Sequence, residues 1–174
     1  MITRDHQKND TRSSATYSSC ERYRYALTRC WEPSGRRALF IMLNPSKATE
    51  QHNDPTVERC ERRARALGFG AFRVANIFAW RETDPKMLRA ADSPIGHETD
   101  RLLQADCNWA DQIICGWGAH GAHLGRGGAV ELLLRATGRP LYHLGLTKDG
   151  HPRHPLYIAY SVKPIHWSAA ALDD

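Results

Sequence analysis

Thiols are sparse and scattered in this 174-residue chain: Cys20, Cys30, Cys60, Cys107 and Cys115 form no C-x-x-C pair, and their number is odd. That argues against a disulfide scaffold, and an iron–sulfur cluster would need four well-placed thiolates. No apolar run approaches the roughly 18 residues of a membrane span. P-loop and dinucleotide-binding glycine fingerprints are missing, and no G-x-S-x-G elbow surrounds Ser46, which argues against serine-triad hydrolysis. Repeats and low-complexity segments are absent too. The N-terminus, MITRDHQKNDTRSS, is polar from residue 3 onward. It is expected not to be a signal peptide and to form a disordered arm over residues 1–16, ahead of a single α/β domain over 17–174. A reduced, cytoplasmic protein fits the thiols. No cofactor, metal, membrane contact or obligate protein partner is expected.

What remains is an ordinary globular composition, 41% apolar and 25% charged, with a net charge of +5. A pI of about 9.1 favours an anionic partner, such as nucleic acid or a nucleotide, without establishing one. Arg22–Cys30 alternates and reads as a strand, expected to pair antiparallel with a second strand over Arg37–Leu43. Asn53-Asp54-Pro55 is a strong helix start, with Asp54 able to cap and Pro55 in the first turn. The helix should run to Leu67, with Val57, Cys60, Ala64 and Leu67 on one face. Its arginines, including Arg59, form either a solvated face or a phosphate-facing surface.

Further strands are predicted over Ala71–Trp80, Gln112–Trp117 and Pro140–Leu146, with helices over His97–Gln104 and Ala129–Ala136. Gly118–Gly128 reads as a flexible loop. The alternation of strands and helices after Leu39 predicts a three-layer α/β/α sandwich around a mainly parallel four-stranded sheet, with an N-terminal antiparallel strand added.

In such sheets ligands bind beyond the carboxyl ends of the strands. Two apolar runs release polar residues into stiff loops there: Leu39–Leu43 into Asn44-Pro45-Ser46, and Leu141–Leu146 into Lys148 and His151-Pro152-Arg153-His154-Pro155. Asn44 can hold one water or one base edge, or can form a turn with its own backbone. Asn76, inside an apolar strand, can offer donor and acceptor to a planar heterocycle or be satisfied by neighbouring backbone. Pro152 and Pro155 argue against a helix around His151 and His154, so these are no metal pair on one helical face. His120 and His123 share a glycine-rich loop, and no zinc signature emerges. Gly125-Arg126-Gly127-Gly128 precedes a helix and could meet phosphate through exposed amides, or serve as a simple connector.

The set MLNPS (42–46), NDPT (53–56), NIFAWR (76–81), WGAHG (117–121) and Gly145–Tyr157 resembles a family of bacterial and phage domains of unestablished function, over about residues 21–167. More distantly, the same sites in the same order resemble the uracil-DNA glycosylase superfamily. That resemblance implies hydrolysis of an N-glycosidic bond in a nucleic acid or a nucleotide. Asn44 would orient water, and Asn76 would read the base. Leu43, Pro45, Ser46, Trp117 and Gly118 would contact base and substrate. His151 or His154 would support the departing base. Lys148, Arg153, Arg126 and Arg59 would grip phosphate. Two alternatives remain: a non-catalytic nucleic-acid or nucleotide binder on the same scaffold, and another nucleotide-modifying enzyme.

Overall fold

A computed structural model describes residues 1–169. Its centre follows from the most apolar strand of the chain. β4 (Arg37–Met42) is buried from Ala38 to Met42, so both of its faces must be covered and both of its edges paired. It is flanked in parallel by β5 (Ala71–Asn76) and β6 (Gln112–Gly116). β6 pairs in parallel with β7 (Leu141–His143).

Alternation along β4 divides the core in two. Ala38, Phe40 and Met42 pack with Val57, Cys60 and Ala64 of α1 (Pro55–Ala66). Leu39 and Ile41 face the other way. They join Leu103 and Cys107 of α3 (Thr99–Trp109) and Val130 and Leu134 of α4 (Arg126–Arg135). A short helix, α2 (Pro85–Ala90), sits in the connection after β5.

The ends of the sheet overturn the expected fold class. Residues 1–16 are no disordered arm: β1 (Ile2–Lys8) and β2 (Thr11–Tyr17) form an antiparallel hairpin. A division at residue 16 would cut through β2. β2 pairs with β3 (Arg24–Cys30), which pairs antiparallel with β5 and not with β4. β5 takes the place beside β4 because only an apolar strand buries both faces there. At the far edge, β8 (Ile165–His166) pairs antiparallel with β7.

Among the described residues the sheet therefore has eight strands, in the order β1-β2-β3-β5-β4-β6-β7-β8. Four of its seven pairings are antiparallel and three are parallel. This is a mixed sheet, not a mainly parallel four-stranded one. No helix among the described residues is long and apolar enough to cross a membrane.

Candidate functional site

The parallel strands β4 and β6 end side by side, and the loops that follow them enclose a cleft of about 640 Å3. After β4 come Leu43, Asn44, Ser46 and Lys47. Asp54, Pro55 and Thr56 belong to the start of α1, and Glu82, Thr83 and Pro85 to the approach to α2. Trp117, Gly118, Ala119 and His120 follow β6, and His154, Leu156 and Tyr157 come from the last long loop. A volume of this size suits a small organic ligand.

Backbone groups hold the Asn44, Asp54 and His154 side chains of this wall. Asn44 donates through Nδ2 to the Glu82 carbonyl at 2.6 Å and to the Pro45 carbonyl at 3.1 Å. Its nitrogen is thereby spent, and the carboxamide oxygen remains to accept from a ligand or water. Ser46 and Thr83 share a hydroxyl hydrogen bond of 2.9 Å, a second tie between the same two loops. The Asp54 carboxylate accepts from the Val57 amide at 2.9 Å, capping α1, and from the Ala48 amide at 3.1 Å.

His154 accepts at Nδ1 from the Leu156 amide, 3.3 Å away. That bond fixes the neutral tautomer with its proton on Nε2. Burial pushes the His154 imidazole below its usual range, against the pull of the Asp54 carboxylate. The imidazole is therefore neutral at pH 7 and offers a donor, not a positive charge.

A tight turn brings His154 to this wall. Gly118 donates its amide to the Pro152 carbonyl at 2.8 Å, which fastens the histidine loop to the end of β6. Its backbone, at φ 72 and ψ −173, lies in a region essentially reserved for glycine. The glycine-rich stretch after it is not a flexible loop. Ala119–Gly125 forms 3-10 turns broken by a kink at His123 and Leu124, and a Cβ at Gly121 would stand 2.3 Å from Trp117 Cδ1.

Not every expected site residue reaches the cleft. Leu43, Asn44, Ser46, Trp117, Gly118 and His154 line it. Pro45 and Asn76 instead line a smaller alcove behind Asn44. Of the two histidines left open by the sequence, His154 stands on the wall and His151 does not. Lys148 and Arg153 are exposed on the same long loop but do not line the cleft.

Arg126 does not line the cleft. It is buried, donating to the Ile77 carbonyl and pairing with Asp100. Arg59 is likewise committed, to the Ile158 carbonyl and the Tyr160 ring. Arg63 holds the carbonyls of Ile158, Ala159 and Val162, while Arg62 and Arg65 pair with Glu58 and Glu61. The arginines of α1 thus bind the protein's own chain.

Sequence reasoning passed over Lys47, Glu82, Thr83 and Tyr157, weighed His120 only as a metal ligand, and took Asp54 only as a helix cap. The NDPT motif was the one available pointer to Asp54. Among the described residues, no group of three or more His, Cys, Asp or Glu is placed to hold a metal ion.

A family model described as "Protein of unknown function (DUF1643)" matches residues 24–156. The chain belongs to this family. The match begins with β3 and runs through His154, so it contains Asn44, Asp54, Trp117 and His154 but not the N-terminal hairpin or Tyr157. It carries no activity and does not extend to the uracil-DNA glycosylase superfamily. No curated protein and no solved structure matches the chain.

Proposed function

We propose that the cleft hydrolyses the N-glycosidic bond of a nucleotide, or of a base in a nucleic acid. One observation carries this reading: Asn44 and His154 line the same cleft, each with one heteroatom already pinned by backbone and one left for a ligand.

The roles follow from the chemistry of those atoms. The Asn44 carboxamide oxygen accepts a hydrogen bond from the attacking water and aims the water's lone pair at the sugar carbon. The water oxygen bonds to that carbon as the carbon–nitrogen bond breaks, and the bonding pair leaves with the base. His154, neutral, donates from Nε2 to the base as negative charge builds on it. The Asp54 carboxylate faces the positive charge developing on the sugar and takes the proton released by the water. Removing one such preorganised group costs about 100- to 1000-fold in rate.

Lys47, Lys148 and Arg153 are the exposed cations on the two loops that flank the cleft. Three of them suit the phosphate of a nucleotide or a short single strand better than the long backbone of a duplex.

The test is a panel of nucleosides, nucleotides, and single- and double-stranded oligonucleotides carrying uracil, hypoxanthine, xanthine and modified bases, with free base quantified by chromatography. The expected result is release from at least one substrate class, reduced about 100-fold or more by Asn44→Ala. Tight binding of a nucleotide without release of any base would turn the reading to a non-catalytic binder.

A further inference from the structure

Behind Asn44 lies a separate alcove of about 20 Å3, whose walls include Arg24, Asn44, Asp54, Thr56 and Asn76. That is room for one water molecule. The walls carry an unmatched donor and an unmatched acceptor. Arg24, at the start of β3, is 2% exposed and donates through Nη1 to the Ala48 carbonyl at 2.9 Å. Its Nε–H is buried with no protein partner. Asn76, the last residue of β5, is 4% exposed, and its Oδ1 is also buried without a partner.

A buried polar atom left without a hydrogen bond is costly, and a guanidinium more so. Among the described residues no direct ion pair joins Arg24 to a carboxylate. Asp54, which also lines the alcove, is the strongest counter-charge acting on it. A donor, an acceptor and space for one water between them meet the requirements for a structural water.

We infer that the alcove binds one ordered water that accepts from Arg24 Nε–H and donates to Asn76 Oδ1, making Arg24 and Asn76 positioning residues for the cleft floor formed by Asn44 and Asp54. The second proton of the water is left for an acceptor on that floor. Asn76 then braces the site from behind, where the sequence had suggested a residue that reads a base. The inference is independent of the reaction proposed above, since it concerns the unliganded protein.

The experiment is a crystal structure of the full chain at a resolution that shows waters, for wild type and for Asn76→Ser and Asn76→Leu. The expected result is one ordered water about 2.7–3.2 Å from both Arg24 Nε and position 76 in wild type and Asn76→Ser, displaced in Asn76→Leu. The positioning role is read by the NMR titration of the His154 ring, which responds to the charge of Asp54. Its midpoint falls in Asn76→Leu, as Asp54 loosens, and keeps the wild-type value in Asn76→Ser. A wild-type alcove without water density, with Asn76 turned to a protein partner, overturns the water site. A His154 midpoint unmoved by Asn76→Leu overturns the positioning role. Should Asn76→Leu fail to fold, the wild-type and Asn76→Ser crystals decide the water site, and Arg24→Lys, followed by the same titration, decides the positioning role.

Discussion

At the scale of single residues, the cost of burying charge separates the groups that build the fold from those that face the cleft. Asp106 is 5% exposed and pairs with Arg73 at 2.8 Å through Oδ1, while its Oδ2 has no partner. Burial outweighs the guanidinium and pushes this carboxyl up to about 6 from 3.8. Between those two values the folded chain holds a proton that the unfolded chain has lost. Stability from this group therefore falls as pH rises through the window and is level above it. Asp106→Asn removes that slope, so the unfolding free energy of wild type minus that of the variant should fall as pH rises across pH 4–6. Denaturant titrations at several pH values measure it, and a wild type that gains stability over the variant as pH rises contradicts burial of the carboxyl as the cause. His154 has the opposite sign: its lowered range means that acid protonates it against the fold and breaks its bond from the Leu156 amide.

At the scale of elements, what the sequence makes legible is what local chemistry decides. The start of α1 was readable to the residue, because a cap and a proline act within one turn. The strand that leads to Asn44, β4, was readable from its unbroken apolar run. β1 and β2 were not, because they carry polar and small residues in place of the branched apolar ones that signal strands. Buried Ser13, Ala15 and Tyr17, on alternate positions, were the only trace of β2. The arginines of α1 were misplaced for another reason: a helical wheel ignores how far a guanidinium reaches, and Arg59 and Arg63 extend to carbonyls near residue 158. The order of the sheet was hidden because pairing β5 between β3 and β4 is a long-range choice.

The turn after β6 yields an element-scale prediction. Gly118→Ala forces a side chain into backbone at φ 72 and ψ −173, a cost of about 1–3 kcal/mol. The expected outcome is a lower denaturation midpoint together with loss of ligand binding, as the tie to Pro152 loosens. A fully stable variant would show that this turn can relax without strain.

At the scale of the whole molecule, the net charge of +5 is less available than it looks. Much of the arginine is consumed inside the fold, in carbonyl contacts and ion pairs. With about three free cations flanking the cleft, the affinity for an oligonucleotide should fall with salt with a logarithmic slope near −2 to −3. A duplex binder making six or more phosphate contacts would show roughly twice that slope or more. Fluorescence anisotropy over a salt series distinguishes the two, and a steep slope would mean that a surface away from the cleft carries the binding.

In the proposed reaction the last loop contributes His154, and not His151, to the chemistry beside Asn44. This assignment is tested most directly by measuring base release by His154→Ala and His151→Ala beside wild type, on whichever substrate of the panel is turned over. The expected result is a loss of about 100-fold or more for His154→Ala and near wild-type rates for His151→Ala. Equal losses, or a larger loss at His151, would contradict it.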